Sequence, residues 1–128
     1  MTLNSDIKAR DEMIFGTYDT NCYSGGIRRF RNLSLEKLES LVNSGFADPD
    51  ETQNYSPSIR EFIEFMVEND GYLVDGYVVS GDRDDYRVSV DAIHRGDMDI
   101  ETKEELANFV DFARHADEFN PNGYAWWD

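Results

Sequence analysis

The sequence predicts an α+β domain: a small antiparallel sheet with three helices, in the order β(β)-α-α-β-β-α. Three observations predict it. Three segments place apolar residues at helical spacing, each behind a capping Ser or Thr. Residues 72–93 hold two runs rich in β-branched and aromatic residues about a Gly/Asp turn. The chain has 128 residues, 40% hydrophobic and 13% aromatic, which suits one packed domain and argues against two domains or wholesale disorder.

Residues 1–11 are polar and mixed in charge. They are expected to be a loosely ordered lead-in to a single domain over residues 12–128. Met13-Ile-Phe-Gly-Thr-Tyr18 suits a short strand by its β-branched and aromatic content. Asp19 to Gly26 reads as a turn. Ile27 to Phe30 is then the returning strand, with Ile27 and Arg29 on one face and Arg28 and Phe30 on the other.

Ser34 caps the first expected helix, whose stripe is Leu35, Leu38, Leu41 and Val42, and Gly45 ends it. The second has two competing starts. Ser56 can cap with Pro57 at the first helical position, or Ser58 and Glu61 can form a capping box. Its stripe is Ile59, Phe62, Ile63 and Met66, and Gly71 follows its end. Tyr72 to Val79 and Tyr86 to Ile93 are expected to form a hairpin. In the second strand Tyr86, Val88, Val90 and Ala92 alternate with Arg87, Ser89 and Asp91, which predicts one covered and one wet face. Thr102 with Glu105 opens the last helix, with Leu106, Phe109, Val110 and Ala113 as its stripe. Helices are expected to cover one face of the sheet.

Cys22 is the single cysteine, so no intrachain disulfide can form and a disulfide-stapled secreted scaffold is excluded. No run of about 18 apolar residues marks a membrane span, and residues 1–12 hold no apolar leader. A cytoplasmic setting is the expectation. Nucleophilic catalysis needs a base beside its nucleophile, and no local motif joins Cys22 to His94 or His115. One Cys and two distant His cannot build a structural zinc site. No Walker loop or dinucleotide fingerprint is present. Asp97, Asp99 and Glu101 start like a calcium loop, but Thr102 stands where the glycine belongs. Glu118, Asn120, Asn122 and Gly123 match the start of such a loop better, but the chain ends before its closing Glu. The expectation is a protein with no enzymatic activity, no cofactor and no metal.

The charge carries the strongest signal. With 27 acidic and 12 basic side chains, the formal net charge is −15. Residues 1–31 hold five basic and four acidic groups, so residues 32–128 carry −16. Such a surface repels nucleic acid and anionic membranes, so direct binding of either is not expected. Glu61, Glu64 and Glu68 follow steps of three and four on the second helix, opposite its apolar stripe. Glu36 and Glu39 do the same on the first, and Glu101, Glu104, Glu105 and Asp111 crowd the last. Asp82, Asp84 and Asp85 fill the hairpin turn.

Two readings follow. Rows of carboxylates on a rigid domain resemble the field of DNA, which carries one charge per roughly 1.7 Å of axis. Such a domain would occupy the basic groove of a nucleic-acid-binding protein, as an inhibitor of the anti-restriction or anti-CRISPR type. The candidate contact residues are Glu61, Glu64, Glu68, Asp82, Asp84 and Asp85, with Trp126 and Trp127 as an aromatic anchor. The alternative is a surface that only confers solubility or salt tolerance, since Asp exceeds Glu by 16 to 11 and Arg exceeds Lys by 9 to 3. Arg28, Arg29 and Arg31 either pair with the domain's own acids or meet an acidic partner. Trp126 and Trp127 equally suit a core edge. The oligomeric state stays open.

Four stretches carry a resemblance: Gly25-Gly-Ile-Arg-Arg-Phe-Arg-Asn-Leu33, Gln53-Asn-Tyr-Ser-Pro-Ser-Ile59, Gly76-Tyr-Val-Val-Ser-Gly-Asp-Arg-Asp-Asp-Tyr86, and Ala116-Asp-Glu-Phe119 with the ending Tyr124-Ala-Trp-Trp-Asp128. Here the chain resembles uncharacterised small acidic open reading frames of bacteria, phages and mobile elements. That resemblance implies no activity and no site residue; it favours mobile-element biology.

Overall fold

A computed structural model describes residues 2–96 and 99–128. Its first element is helix α1, Ile7–Phe15, capped by the Asp6 carboxylate on the Ala9 N–H at 3.1 Å and closed by Gly16 at φ 81°. The expected strand at residues 13–18 is therefore wrong, and the segment read as lead-in supplies the start of the helix. Tertiary contacts override the β propensity of Met13-Ile-Phe15. Ile14 joins the core, with Ala9, Met13 and Phe15 against it. Arg10 and Asp11 are fully buried. The Arg10 guanidinium donates to Asp11 at 2.9 Å, to the Val79 carbonyl at 3.0 Å and to the Tyr23 hydroxyl at 2.6 Å, while that hydroxyl donates to Asp11. Charge balance and hydrogen bonds are thus both met inside the fold.

A 3-10 turn at Thr20–Cys22 leads to strand β1, Ile27–Leu33. Helix α2, Leu35–Asn43, starts on Ser34 as expected, and Gly45 follows it at φ 79°. Helix α3, Ile59–Glu68, uses the Ser58–Glu61 capping box, with both reciprocal bonds present. Strands β2, Leu73–Val79, and β3, Val88–His94, form the expected hairpin. Helix α4, Lys103–Phe112, starts on Thr102, and two short strands close the chain, β4, Glu118–Asn120, and β5, Tyr124–Trp126. The fold is thus α+β with four helices and a five-stranded sheet of order β1-β2-β3-β5-β4, every pairing antiparallel. The expected three helices and their order are corrected by α1 and by the terminal hairpin. β1 pairs with β2, not with residues 13–18.

One face of the sheet carries Phe30, Val74, Val78, Val88, Val90, Ile93 and Ala125 into the core. Leu38, Leu41, Ile59, Phe62, Met66 and Phe109 meet them from the helices. Gly76 lets β1 and β3 close on β2: a Cβ there would lie 1.9 Å from the Ser89 carbonyl oxygen and 2.7 Å from the Phe30 ring. The second face is not wet as expected, since Ser89 and Asp91 are buried. Asp91 is the unpaired residue of a bulge and is held by Arg29 at 3.1 Å. Tyr77 is covered by Gln53 and Arg87, its hydroxyl bonded to them at 2.7 and 3.0 Å. On α4 the stripe is also shifted: Phe109 and Ala113 are buried, but Leu106 and Val110 are exposed.

Candidate acidic groove between two helices

A helix turns about 100° per residue, so burying Ile59, Phe62, Phe65 and Met66 sends Glu61, Glu64 and Glu68 to the opposite side of α3. All three are exposed. On α4, burial of Phe109 and Ala113 likewise turns Glu104, Asn108 and Asp111 outwards, on the flank towards α3. The two helices are bridged by Phe65 stacked on Phe112, with ring centroids 4.2 Å apart and planes inclined by 20°. Above that aromatic floor runs an open groove of about 550 Å³. Glu61, Glu64 and Glu68 form one wall, and Glu104 and Asp111 the other.

These carboxylates are largely uncompensated. Among the described residues, Glu61, Glu64, Glu68 and Glu104 make no ion pair. Among the described residues, Arg114 is the one cation lining this part of the groove, 3.8 Å from Asp111. Glu61 is fixed by its cap, accepting from the Ser58 N–H at 3.0 Å. The α3 acids are spaced by about 4.5 and 6 Å of axial rise. Each adjacent pair costs roughly 0.2–0.5 kcal/mol of helix stability. Dipole compensation helps Glu61 in the first turn but not Glu68 in the last.

The groove continues past Glu68 and Glu104 into a second cavity of about 610 Å³. Asp70, Tyr72, Arg95 and Glu105 line this end. Burial raises the pKa of the Tyr72 hydroxyl, and the neighbouring Arg95 pulls it only part of the way back.

The structure does not add the hairpin turn to this groove. Asp85 is clamped by Arg83 at 2.8 and 2.7 Å and lies 3.3 Å from Arg87. The Arg83 hydrogen bonds hold its carboxyl below the usual range. Asp82 accepts from the Ser80 hydroxyl, which lowers its pKa in the same way, and lines a separate cavity beside Ile7 and Tyr18. Asp84 is exposed. Much of the turn's charge is therefore met locally.

Trp127 is buried in the core and is not presented at the surface. It is 1% exposed and packs edge-on against Phe62 at 5.5 Å and Phe112 at 6.3 Å. Trp126 is half-buried on β5, opposite Ala92 and Glu118. In the arginine cluster, Arg29 pairs with Asp91 and Arg28 lies 3.6 Å from the Phe15 ring centroid. Burial pushes the Asp91 carboxyl up, and Arg29 offsets only part of that rise. Arg31 is exposed and unpaired among the described residues.

Both ring nitrogens of His94 are engaged. Nε2 lies 3.1 Å from Asp75, and Nδ1 accepts the Gly96 N–H at 3.0 Å, so the proton sits on Nε2. In this arrangement the unprotonated nitrogen of His94 is occupied by the Gly96 N–H. Burial opposes the charge on Asp75, but the bonds from His94 and the Asn32 N–H prevail and hold its pKa low. Cys22 is exposed on the 3-10 turn, and no hydrogen bond joins it to His94 or His115. Among the described residues no three His, Cys, Asp or Glu side chains gather as metal ligands, and no helix is long and apolar enough to cross a membrane. Asp97, part of the calcium-loop comparison, lies outside the described residues.

No family model, curated protein or solved structure matches this chain.

Two parts of the site escape sequence reading. The acids of α4 are visible there, but not their turn towards α3, which depends on Phe65 meeting Phe112. Arg95 carries no sequence signal, because its burial follows from β5 folding back beside β3.

Proposed function

We propose that the chain is a non-enzymatic binding protein that docks a basic protein surface on the α3–α4 groove and competes there with nucleic acid. The supporting observation is the pair of facing carboxylate walls, of which four members have no cationic partner among the described residues. A surface helix selected only for stability would intersperse Lys or Arg at these steps.

The scale of the groove narrows the reading. One strand of DNA carries a charge per roughly 3.4 Å of axis. The α3 row carries one per roughly 5 Å over about 10 Å of helix. The second wall adds Glu104 and Asp111. The groove therefore mimics a few nucleotides of backbone, which suits a short basic patch in a nuclease channel. Exposed Asp84 widens the acidic surface outside the groove, while Asp82 and Asp85 are held by local partners. An inhibitor of the anti-restriction or anti-CRISPR type fits this geometry.

The test is capture of purified restriction and CRISPR nucleases on the immobilised chain at low and high salt. Retention at low salt, release at high salt and loss of retention in the triple variant Glu61→Gln, Glu64→Gln, Glu68→Gln are expected. If no basic nuclease is retained at low salt, or the triple variant retains it equally, the reading fails.

A further inference from the structure

The inner end of the groove holds a side chain that the acidic walls do not explain. Arg95 directly follows β3, and its side chain is only 8% exposed. Its backbone N–H donates to the Gly123 carbonyl at 3.1 Å. Its stem fills the space that a side chain at Gly123 would need, since a Cβ there would lie 2.9 Å from Arg95 Cγ and Cδ. The guanidinium carbon lies 5.1 Å from the Tyr72 ring centroid. The seat is thus built by three elements.

The guanidinium in that seat is under-bonded. It offers five N–H donors. One donates to the Asp70 carbonyl at 3.4 Å, the Glu105 carboxylate stands 3.8 Å away, the Tyr72 hydroxyl also draws on it, and Nε, itself sealed from solvent, has no partner. The guanidinium lines an open cavity with more donors than these partners use, so it can take a further acceptor from outside the chain. A planar fork of this kind matches a carboxylate. The other lining groups restrict what can bring it. Glu68, Asp70, Glu104 and Glu105 share the cavity, so a simple anion is repelled. A simple cation suits the acids but leaves Arg95 unmet.

We propose that this end of the groove binds a ligand that carries a carboxylate beside a cation, with the carboxylate on Arg95 and the cation among Glu68, Asp70 and Glu104. A free basic amino acid and the C-terminal residue of a basic peptide both present that chemistry. The proposal stands apart from nucleic-acid mimicry, because its carboxylate half rests on Arg95, although Glu68 is shared with the α3 row.

The experiment titrates the isotope-labelled full chain, followed by amide resonances. The probes are L-lysine, L-lysinamide, and a Gly-Lys-Lys peptide as free acid and as C-terminal amide. Both free acids are expected to shift Asn69, Tyr72, Arg95 and Thr102. The matching amides should bind more weakly by about tenfold or more, the effect of losing a charge-assisted hydrogen-bonded pair. Arg95→Lys, which keeps the charge but loses the fork, should narrow the gap between acid and amide. Tighter binding of the peptide acid than of lysine names a chain end as the occupant, and the reverse names the free amino acid. Equal binding of acids and amides, shifts confined elsewhere, or no shift with either acid would overturn the proposal. If Arg95→Lys does not fold, the acid–amide comparison on the natural chain still decides. Failure here leaves nuclease capture by the α3 row intact, so the two readings separate.

Discussion

Replacing Glu64 by glutamine removes one charge from the middle of the α3 row. Glu64 has a like-charged neighbour on each side, Glu61 three residues before it and Glu68 four after. Each such pair costs roughly 0.2–0.5 kcal/mol, so removing both should stabilise the fold by about 0.4–1 kcal/mol. For a chain of 128 residues the unfolding entropy near the midpoint is roughly 270 cal/mol/K. The gain is then a rise in Tm of about 1.5–4 °C. Carboxylates of α4 face the same groove, so their repulsion adds in the same direction. Thermal unfolding at low ionic strength reads the effect, and a repeat at 1 M salt should abolish most of it, where the screening length falls to about 3 Å. An unchanged or lower Tm at low salt would refute the claim that the row stores repulsion. A row kept at a cost to stability is what the proposed binding role requires.

The remaining predictions concern the frame that presents the groove. Trp127→Ala should destabilise by about 3–5 kcal/mol in denaturant titration, because it empties the space between Phe62 and Phe112. Asp11→Ala should cost about 3–5 kcal/mol by leaving the buried Arg10 uncompensated, and the loss should register as early exchange of the α1 amides. Asp75 has a folded pKa below its unfolded value, so its stabilisation is present above the ordinary carboxylate range and is lost as pH falls through the folded value. Asp75→Asn should therefore flatten the acid limb of a stability–pH curve between about pH 4 and the onset of acid unfolding. If the acidity serves only salt tolerance, Tm should climb steeply into molar salt and the glutamine variants should lose that climb. A melting point that does not rise with salt counts against that alternative.

The elements with local signatures were legible in the sequence. Ser34, Ser58 and Thr102 cap the three expected helices, and residues 73–94 form the expected hairpin. Helix α1 was not legible, because its reason to be a helix is the burial of Arg10 and Asp11 against Tyr23 and the Val79 carbonyl, far along the chain. Strands β4 and β5 are three residues each, too short for alternation to register. The covered second face of β3 depends on Arg29 reaching across β2 to Asp91. For the groove, the α3 row follows from helical spacing alone. Its second wall, and the arginine at its end, exist only once tertiary packing sets α4 beside α3 and β5 beside β3.

The central claim is that this row competes with nucleic acid for a basic surface. Its most direct measurement is displacement of a labelled oligonucleotide from a nuclease that the chain captures, with the natural chain and the Glu61→Gln, Glu64→Gln, Glu68→Gln variant. The account predicts competitive displacement by the natural chain, weakening as salt rises, and displacement by the variant at least about tenfold weaker. A ternary complex in which chain and oligonucleotide bind the nuclease together, or equal displacement by both forms, would contradict it.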